Sequence, residues 1–558
     1  MSQNRLSIAF LGGLGEVGKN IMALSYGSDI LVVDCGLTFP DDDMPGVDVV
    51  IPDLSYLLQH GDRVRGIALT HGHEDHVGAL GYLLPHLPKV PVYGSRLTLG
   101  LVAGRFRELC PDLDVDFRPV SAADEATVGP FKIGFFRVNH SVPDAFGLGI
   151  ETPVGTVLHT GDFKFDQTPV DGEVTDYHRL AEYGRQGVLV MLSDSTHADR
   201  PGYTPSEKVV GQEIDRILSQ APGRVIVTTF ASNVHRIQEV MTGADRRGRK
   251  VGVIGRSMLN TIDVASRLGY LNIPPGTVVG LEEALRTRDR QCVLLASGSQ
   301  GEPMSALTRI ARHEHPRVEI KPHDTVILAA TPVPGNERTV ARTVDDLYRE
   351  GATVVRPPYH QVHVSGHGSE EELKMMINLI KPQYFVPIHG EYRNLVRHGQ
   401  LATQLGVAED HVFVVENGTV LEFSAYHGRI SGKVASGAVY VDGRGVGDVG
   451  SAVIRERTRL SEDGVLVVAV TVDLGQGRIL AGPDVVTRGF VYVRESEALL
   501  TEIKETLTRA LQELEGSPMD WPLLKGVIRD RALQVVELRT GRQPTVLPVI
   551  MECKSAGG

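Results

Sequence analysis

The stretch THGHEDHVGAL places four groups able to bind a metal, His71, His73, Asp75 and His76, within six residues directly after the apolar run GIALT. A short apolar run bounded by turn signals reads as a buried strand. Alternate side chains at the strand end let His71 and His73 converge on one point, and the turn into the next helix brings Asp75 and His76 to a neighbouring one. Imidazoles and carboxylates with no thiolate suit Zn2+ or Mn2+ better than a soft metal. A solvated helix cap would not need ligand-type residues at this density. The chain must therefore fold so that a strand end and its turn stand at the rim of a sheet.

Two metals need more ligands than this stretch holds, and a bridging carboxylate would keep them roughly 3.5 to 4 Å apart. The candidates are His140 in FFRVNHSVPDA, Asp162 in LHTGDFKFD and His389 in FVPIHGE, each following an apolar run. Gly13, Gly15 and Gly18 also fit the dinucleotide fingerprint G-x-G-x-x-G, but IMALSYG after them alternates like a strand where that fingerprint needs a long helix. They read as a glycine-lined loop at the rim of a site, where the backbone approaches closely.

The rest of the chain sorts by rhythm. From Leu6 to about Asp194, apolar runs broken by glycine (SIAFLGG, IMALSYG, DILVVDCG, FKIGFFRVNH, TVLHTGD, VLVMLSD) read as strands. After Pro205 strands alternate with helices expected from about Asn233, Ser257, Met304 and Glu337, which predicts a parallel α/β sheet. PQYFVPIHGE then resumes the first pattern, and HVFVVENGTVLEF suggests a hairpin at Asn417-Gly418. From about Asp448, VLVVAVTVD and RILAGPDVV suggest a hairpin around Gln476-Gly477, followed by a helix with Leu499, Leu500, Ile503, Leu507, Leu511 and Leu514 on one face. The expected organisation is 1–204 and 356–447 as two parts of one domain, 205–355 inserted between them, and 448–558 as a third unit.

Composition narrows the function. A length of 558 residues suits about three domains at roughly 100 to 200 residues each. No stretch approaches the roughly 20 apolar residues of a membrane span, so no membrane partner is expected. The start MSQNRLSIAFLGG lacks a basic leader, and Cys35, Cys110, Cys292 and Cys553 form no C-x-x-C pair. Both features predict a cytoplasmic protein with ordinary thiols. The net charge of −12 argues against a protein coated in positive charge, leaving room only for a confined basic channel.

H-x-H-x-D-H followed by His, Asp and His at strand ends resembles the metallo-β-lactamase superfamily. The resemblance implies an α/β fold, an αββα sandwich with a dinuclear site at one edge. It further implies His71, His73 and His140 on one metal, Asp75, His76 and His389 on the other, and Asp162 bridging. An insertion between Asp162 and His389, with Asp194 in SDSTHAD and His367 in VHVSGHGS, resembles the β-CASP subgroup, which acts on nucleic acids. Histidine at the third motif position, here His389, is associated there with RNA. GGLGEVGKN, HGHEDHVG, DSTHAD, FASNVHRIQ, HVSGHGS and PIHGEYR together are similar to the bacterial ribonuclease J family over nearly the whole chain, with an inserted parallel-sheet β-CASP domain and a small α+β C-terminal domain.

That family implies a ribonuclease of RNA maturation and decay. It would be a 5′-to-3′ exonuclease favouring 5′-monophosphate ends on single-stranded RNA, with endonuclease activity, two divalent ions (Zn2+ and/or Mn2+) and a homodimer through the C-terminal domain. Other RNA-processing proteins are further expected partners. Asp75 is the candidate to orient or deprotonate the attacking water, and His367 to donate to a phosphate oxygen or protonate the leaving group. Asp194 is the candidate to orient a histidine ligand. Ser232 and Asn233 before a helix N-terminus, with His363, Ser365, Gly366 and His367, are candidates for the 5′-phosphate pocket. The runs Arg246, Arg247, Arg249, Lys250 and Arg286, Arg288, Arg290 are candidate phosphate tracks. His313 and His315 in HEHP read as a helix end. A small-molecule metallohydrolase is disfavoured because a compact ester needs no insertion bearing SGHG, and a silent scaffold because no ligand is lost.

Overall fold

The glycine-bounded apolar runs of the N-terminal part form strands at Leu6–Gly12, Ile21–Tyr26, Asp29–Val33, Val64–Ala68, Phe131–Val138, Gly155–His159 and Val190–Asp194. The computed structural model describes residues 5–41, 43–298, 305–332, 336–425, 427–490, 497–516 and 518–553. Two compact units divide the chain: Met1–Phe39 with Val49–Val439, and Pro40–Asp48 with Tyr440–Gly558.

In the first unit an eight-stranded sheet runs in the order Gly428–Lys433, Thr419–Phe423, Leu6–Gly12, Ile21–Tyr26, Asp29–Val33, Val64–Ala68, Pro91–Gly94, Asp116–Pro119. A six-stranded sheet runs Tyr384–Ile388, Val190–Asp194, Gly155–His159, Ala145–Thr152, Phe131–Val138, Glu125–Val128. Ile8, Phe10, Leu24 and Val33 of one pack with Ile133, Phe135, Leu148 and Val386 of the other in a single core. Because strand side chains alternate, Phe136 and Val138 face the opposite way. There they meet Leu180, Leu373, Met376 and Ile377 of the helices Tyr177–Gln186 and Glu370–Ile380. The helix Arg96–Leu109 lies against Pro91–Gly94 and Asp116–Pro119 of the other sheet, which completes the αββα sandwich. Tyr384–Ile388 pairs in parallel with Val190–Asp194, so the chain leaves this sheet and returns beside its own point of departure.

The chain between these two strands forms a third sheet, wholly parallel, in the order Val278–Val279, Lys250–Ile254, Cys292–Ala296, Val225–Thr228, Thr325–Leu328, Thr353–Val355. Its strands read as unbroken apolar runs because both faces are covered. The helices are Val234–Arg246, capped by Asn233, then Arg256–Leu268, Ala306–Ala311 and Glu337–Arg349. Met304, where one helix was expected to start, lies outside the described residues. The helix Glu207–Gln220 escaped the sequence reading.

The hairpin expected at Asn417-Gly418 is not formed. HVFVV makes a single bridge, Val412 to Phe385, and Thr419–Phe423 pairs with Leu6–Gly12 and Gly428–Lys433. The turn is held by other partners: Asn417 Oδ1 accepts from Leu14 N at 2.9 Å, and Gly418 N donates to Phe10 O at 2.7 Å.

In the second unit Val465–Asp473 forms the expected antiparallel hairpin with Arg478–Arg488 and pairs in parallel with Thr545–Glu552. Ile503, Leu507 and Leu511 of the helix Glu497–Gln512 pack into this unit's own core with Leu524, Ile528 and Val536 of a second helix, Trp521–Thr540. No helix among the described residues is long and apolar enough to cross a membrane.

Candidate metal centre

The HGHEDH segment is shaped by the neighbouring strand end. Asp34 closes Asp29–Val33 in a left-handed conformation (φ 57°) and accepts from Thr70 N and Thr70 Oγ1, both at 2.8 Å. Its Oδ2 also takes the Nδ1 proton of His76 at 2.7 Å. Cys35 N donates to His76 O, and a Cβ on Gly36 would lie 1.6 Å from Asp75 O, so only glycine lets this turn approach. His389 is itself left-handed (φ 51°), its N donating to Gly13 O at 3.0 Å in the glycine loop. Such a conformation in a non-glycine residue persists only when its surroundings hold it.

The ends of four strands, Val64–Ala68, Phe131–Val138, Gly155–His159 and Tyr384–Ile388, thus bring the sequence candidates together. His71 Nε2 and His140 Nε2 lie 3.0 and 3.1 Å from His73 Nδ1. Asp75, His76, Asp162 and His389 form an adjoining set, with ligand atoms of each group within 4.8 Å of one another. Asp162 Oδ2 stands 3.7 Å from His71 Nε2, 3.8 Å from His140 Nε2, 3.2 Å from His76 Nε2 and 3.5 Å from His389 Nε2. Ligand atoms tetrahedrally placed about 2.05 Å from one ion sit about 3.3 Å apart, close to these separations.

The outward nitrogens are already committed: His140 Nδ1 donates to Gly366 O at 2.8 Å and His76 Nδ1 to Asp34, so Nε2 of each is the nitrogen that faces inward. His73 Nδ1 has only other imidazole nitrogens within 3.1 Å, a crowd of lone pairs that a cation would satisfy. The donor set therefore fits a divalent cation such as Zn2+ or Mn2+.

Charge divides the cluster. Burial, with repulsion from His76, holds His71 well below the ordinary imidazole range; burial with repulsion from His73 and His367 does the same to His140. Burial lowers His73 to about 4. Burial also opposes charge on His76, but Asp162, Asp75 and Asp34 outweigh it and hold its pKa well above the usual value. At His389 Asp162, Asp194 and Asp75 overcome burial and raise the value to about 10.

Beside this set His367 Nδ1 donates to Asp194 Oδ2 at 2.7 Å. Asp194 Oδ1 accepts from Thr196 Oγ1 at 2.8 Å, and Thr196 Oγ1 accepts the Nδ1 proton of His389 at 2.7 Å. Asp194 thereby orients two histidines, and Asp162, Asp194, His367 and His389 also converge closely enough to form a ligand group.

Comparison with known proteins matches four successive stretches of the chain. The metallo-β-lactamase superfamily matches residues 14–206, the ribonuclease J β-CASP domain 222–347, the Zn-dependent metallo-hydrolase RNA specificity domain 354–415 and the ribonuclease J C-terminal domain 452–553. Ribonuclease J2 of Bacillus subtilis is 43% identical, covering 98% of this chain and 98% of its own. The chain belongs to the ribonuclease J family. Ribonuclease J of Thermus thermophilus is likewise 43% identical, over 99% of this chain and 96% of its own. A solved structure from Enterococcus faecalis V583, of unknown function, shares the fold with a TM-score of 0.54 at 17% identity, covering 75% of this chain and all of that one. The protein is thus a hydrolytic ribonuclease with a metal-binding cluster.

The remaining candidates of the sequence reading are those for RNA contact. Burial alternates along VHVSGH: Val362, Val364 and Gly366 are buried while His363, Ser365 and His367 are half-buried, which puts the last three on one face. Gly366 has a different use, since its carbonyl holds His140 and a Cβ there would meet that ring at 2.6 Å. Asn233 is buried and caps its helix by accepting from Arg236 N at 3.1 Å, and Ser232 precedes it, half-buried.

The basic runs split. Arg249 is buried and donates to the carbonyls of Leu218, Ala221 and Gly223, so it is a structural group rather than part of a phosphate track. Arg247 pairs with Asp215 and Lys250 Nζ donates to Gly276 O, whereas Arg246, Arg286, Arg288 and Arg290 are exposed. His313 pairs with Glu350, and His315 Nδ1 accepts from Val318 N, after the helix Ala306–Ala311.

Sequence reading missed Asp34, Thr196 and Arg236. Asp34 ends an apolar run as Asp162 and Asp194 do, and Thr196 lies two residues beyond Asp194. Arg236 interrupts the apolar stripe of its helix.

Proposed function

We propose that this chain hydrolyses RNA phosphodiesters with a water activated between two divalent ions, acting as a 5′-to-3′ exonuclease that favours 5′-monophosphate ends and also as an endonuclease, in RNA maturation and decay. The observation that carries the two-ion reading is the position of Asp162 Oδ2, within 4 Å of imidazole nitrogens from both ligand sets. His71, His73 and His140 would hold one ion, Asp75, His76 and His389 the other, with Asp162 shared. When bound, the ions, Zn2+ or Mn2+, lower the pKa of a water and offset phosphate charge. Asp75, half-exposed at the open side, orients or deprotonates that water. His367, its Nδ1 proton held by Asp194, presents Nε2 to the scissile phosphate, to donate to a non-bridging oxygen or to protonate the leaving group. Asp194 and Thr196 keep His389 and His367 in register.

The terminal phosphate is assigned to Ser232, Asn233 and the open face of HVSGHG. Arg236, Lys164 and Arg200 lie near enough to oppose charge on His363, the first two being paired with Glu207 and Asp166. A homodimer through the C-terminal unit belongs to the same reading. Its test is incubation with 5′-monophosphorylated and 5′-triphosphorylated RNA, with Mn2+, Zn2+ and Mg2+ supplied separately. Mononucleotides released from the 5′ end, faster from the monophosphate, are expected. Absence of cleavage with every cation would sink the reading.

A further inference from the structure

We infer that Arg236 is the positioning residue of the 5′-phosphate pocket: it fixes His363 as an Nε2–H donor toward the RNA terminus. The inference rests on the pocket assignment above. Arg236 is the largest fully buried side chain among the described residues, on the helix stripe it shares with Val234, Ile237 and Val240. A buried cation is strongly unfavourable without partners, and here each is specified. Nε and Nη2 donate to the two carboxylate oxygens of Glu207, both at 2.8 Å. Nη1 donates to Ala329 O at 2.6 Å and to His363 Nδ1 at 3.0 Å, and Nη2 reaches Val364 O at 3.5 Å.

A guanidinium can only donate. His363 Nδ1 must therefore accept, and its ring proton sits on Nε2. His363 is only partly buried, as are Ser365 and His367. Burial and the nearby cations keep it neutral. A phosphate oxygen meeting Nε2–H finds a donor, whereas the other tautomer would present a lone pair and repel it. The same residue reaches the other wall, since its backbone N donates to Asn233 Oδ1. Lysine would retain the charge but not the fork that serves Glu207, Ala329 and His363 together.

The test compares initial rates on 5′-monophosphorylated and 5′-hydroxyl RNA of one sequence for the full chain. Its variants are Arg236→Lys, the charge-balanced pair Arg236→Met with Glu207→Gln, His363→Gln and His363→Asn. For Arg236→Lys and the pair, KM on the monophosphate should rise about tenfold, the equivalent of one hydrogen bond to a charged group, with kcat and the 5′-hydroxyl rate unchanged. His363→Gln, whose amide can donate from the Nε2 position, should keep the preference, and His363→Asn should lose it. In the His363→Asn background Arg236→Lys should add nothing. If both Arg236 variants keep the preference while His363→Asn loses it, the inference is overturned and the pocket stands. If His363→Asn also keeps it, the pocket itself fails. The 15N-histidine spectrum, with the His363 signal identified from its loss in His363→Gln, reads the tautomer directly. A proton on Nδ1 in the unmodified chain would refute the inference whether or not the Arg236 variants fold.

Discussion

Two halves of one cluster, both built around histidines, differ in charge. Around His71, His73 and His140 burial and mutual repulsion keep the rings neutral, with lone pairs turned inward. Around His76 and His389, Asp34, Asp75, Asp162 and Asp194 overcome the same burial and favour protonated rings. Histidine is therefore not one kind of ligand: the carboxylates packed against it decide whether a cation meets a free lone pair or must displace a proton. Asp162 belongs to both halves, Asp34 holds His76 directly and reaches His71 through Thr70 Oγ1, and Thr196 holds His389 of the second.

The comparison can be broken most severely at shared or central ligands. His76→Ala and Asp162→Asn should each lower RNA cleavage well beyond the roughly 100-fold limit for a group that merely supports a ligand, while gel-shift binding of RNA persists. Full activity in either would remove the assigned centre. The halves separate through their supports. Gly366→Ala, pressing on His140, and Thr196→Val, releasing His389, should each cost about 10- to 100-fold in activity or metal affinity. Metal content by elemental analysis reads which half is emptied, and an unchanged content and rate in both would show that the outer partners do not orient the ligands.

Smaller effects test the surroundings. Arg249→Met should cost about 1 to 3 kcal/mol of stability by orphaning buried carbonyls, with RNA affinity unchanged; weaker RNA binding in a stable variant would restore Arg249 to a phosphate track. His398, buried behind the site with Nδ1 on Ser195 Oγ, is pushed down to about 3 by burial. Between its unfolded value near 6.5 and 3 the unfolded chain binds more protons, so stability is complete above that range and falls as pH drops through it, by up to about 1.4 kcal/mol per unit. With saturating metal, the thermal midpoint of His398→Asn should fall less between pH 7 and 5 than that of the unmodified chain. Identical slopes would mean that His398 is not held neutral.

Much of the fold was legible because its strands are short apolar runs with glycine at their ends, and because Asn233 caps its helix and Glu337 is an acidic residue in the first turn of another. The reading failed at Asn417-Gly418, where a hairpin dipeptide is held by Leu14 and Phe10 instead. It failed at Arg249 for a related reason, since a basic run on a surface and a buried arginine capping carbonyls look alike in one dimension.

The sequence by itself determined the ligand types, their places at strand ends and the alternation that builds a parallel sheet, because side-chain periodicity and turn chemistry act between near neighbours. Only the tertiary structure decided which nitrogens face one another, which histidines carry charge and what Arg236 holds. Those depend on partners as distant as Asp75 and His389, 314 positions apart, and on a burial that no local pattern specifies.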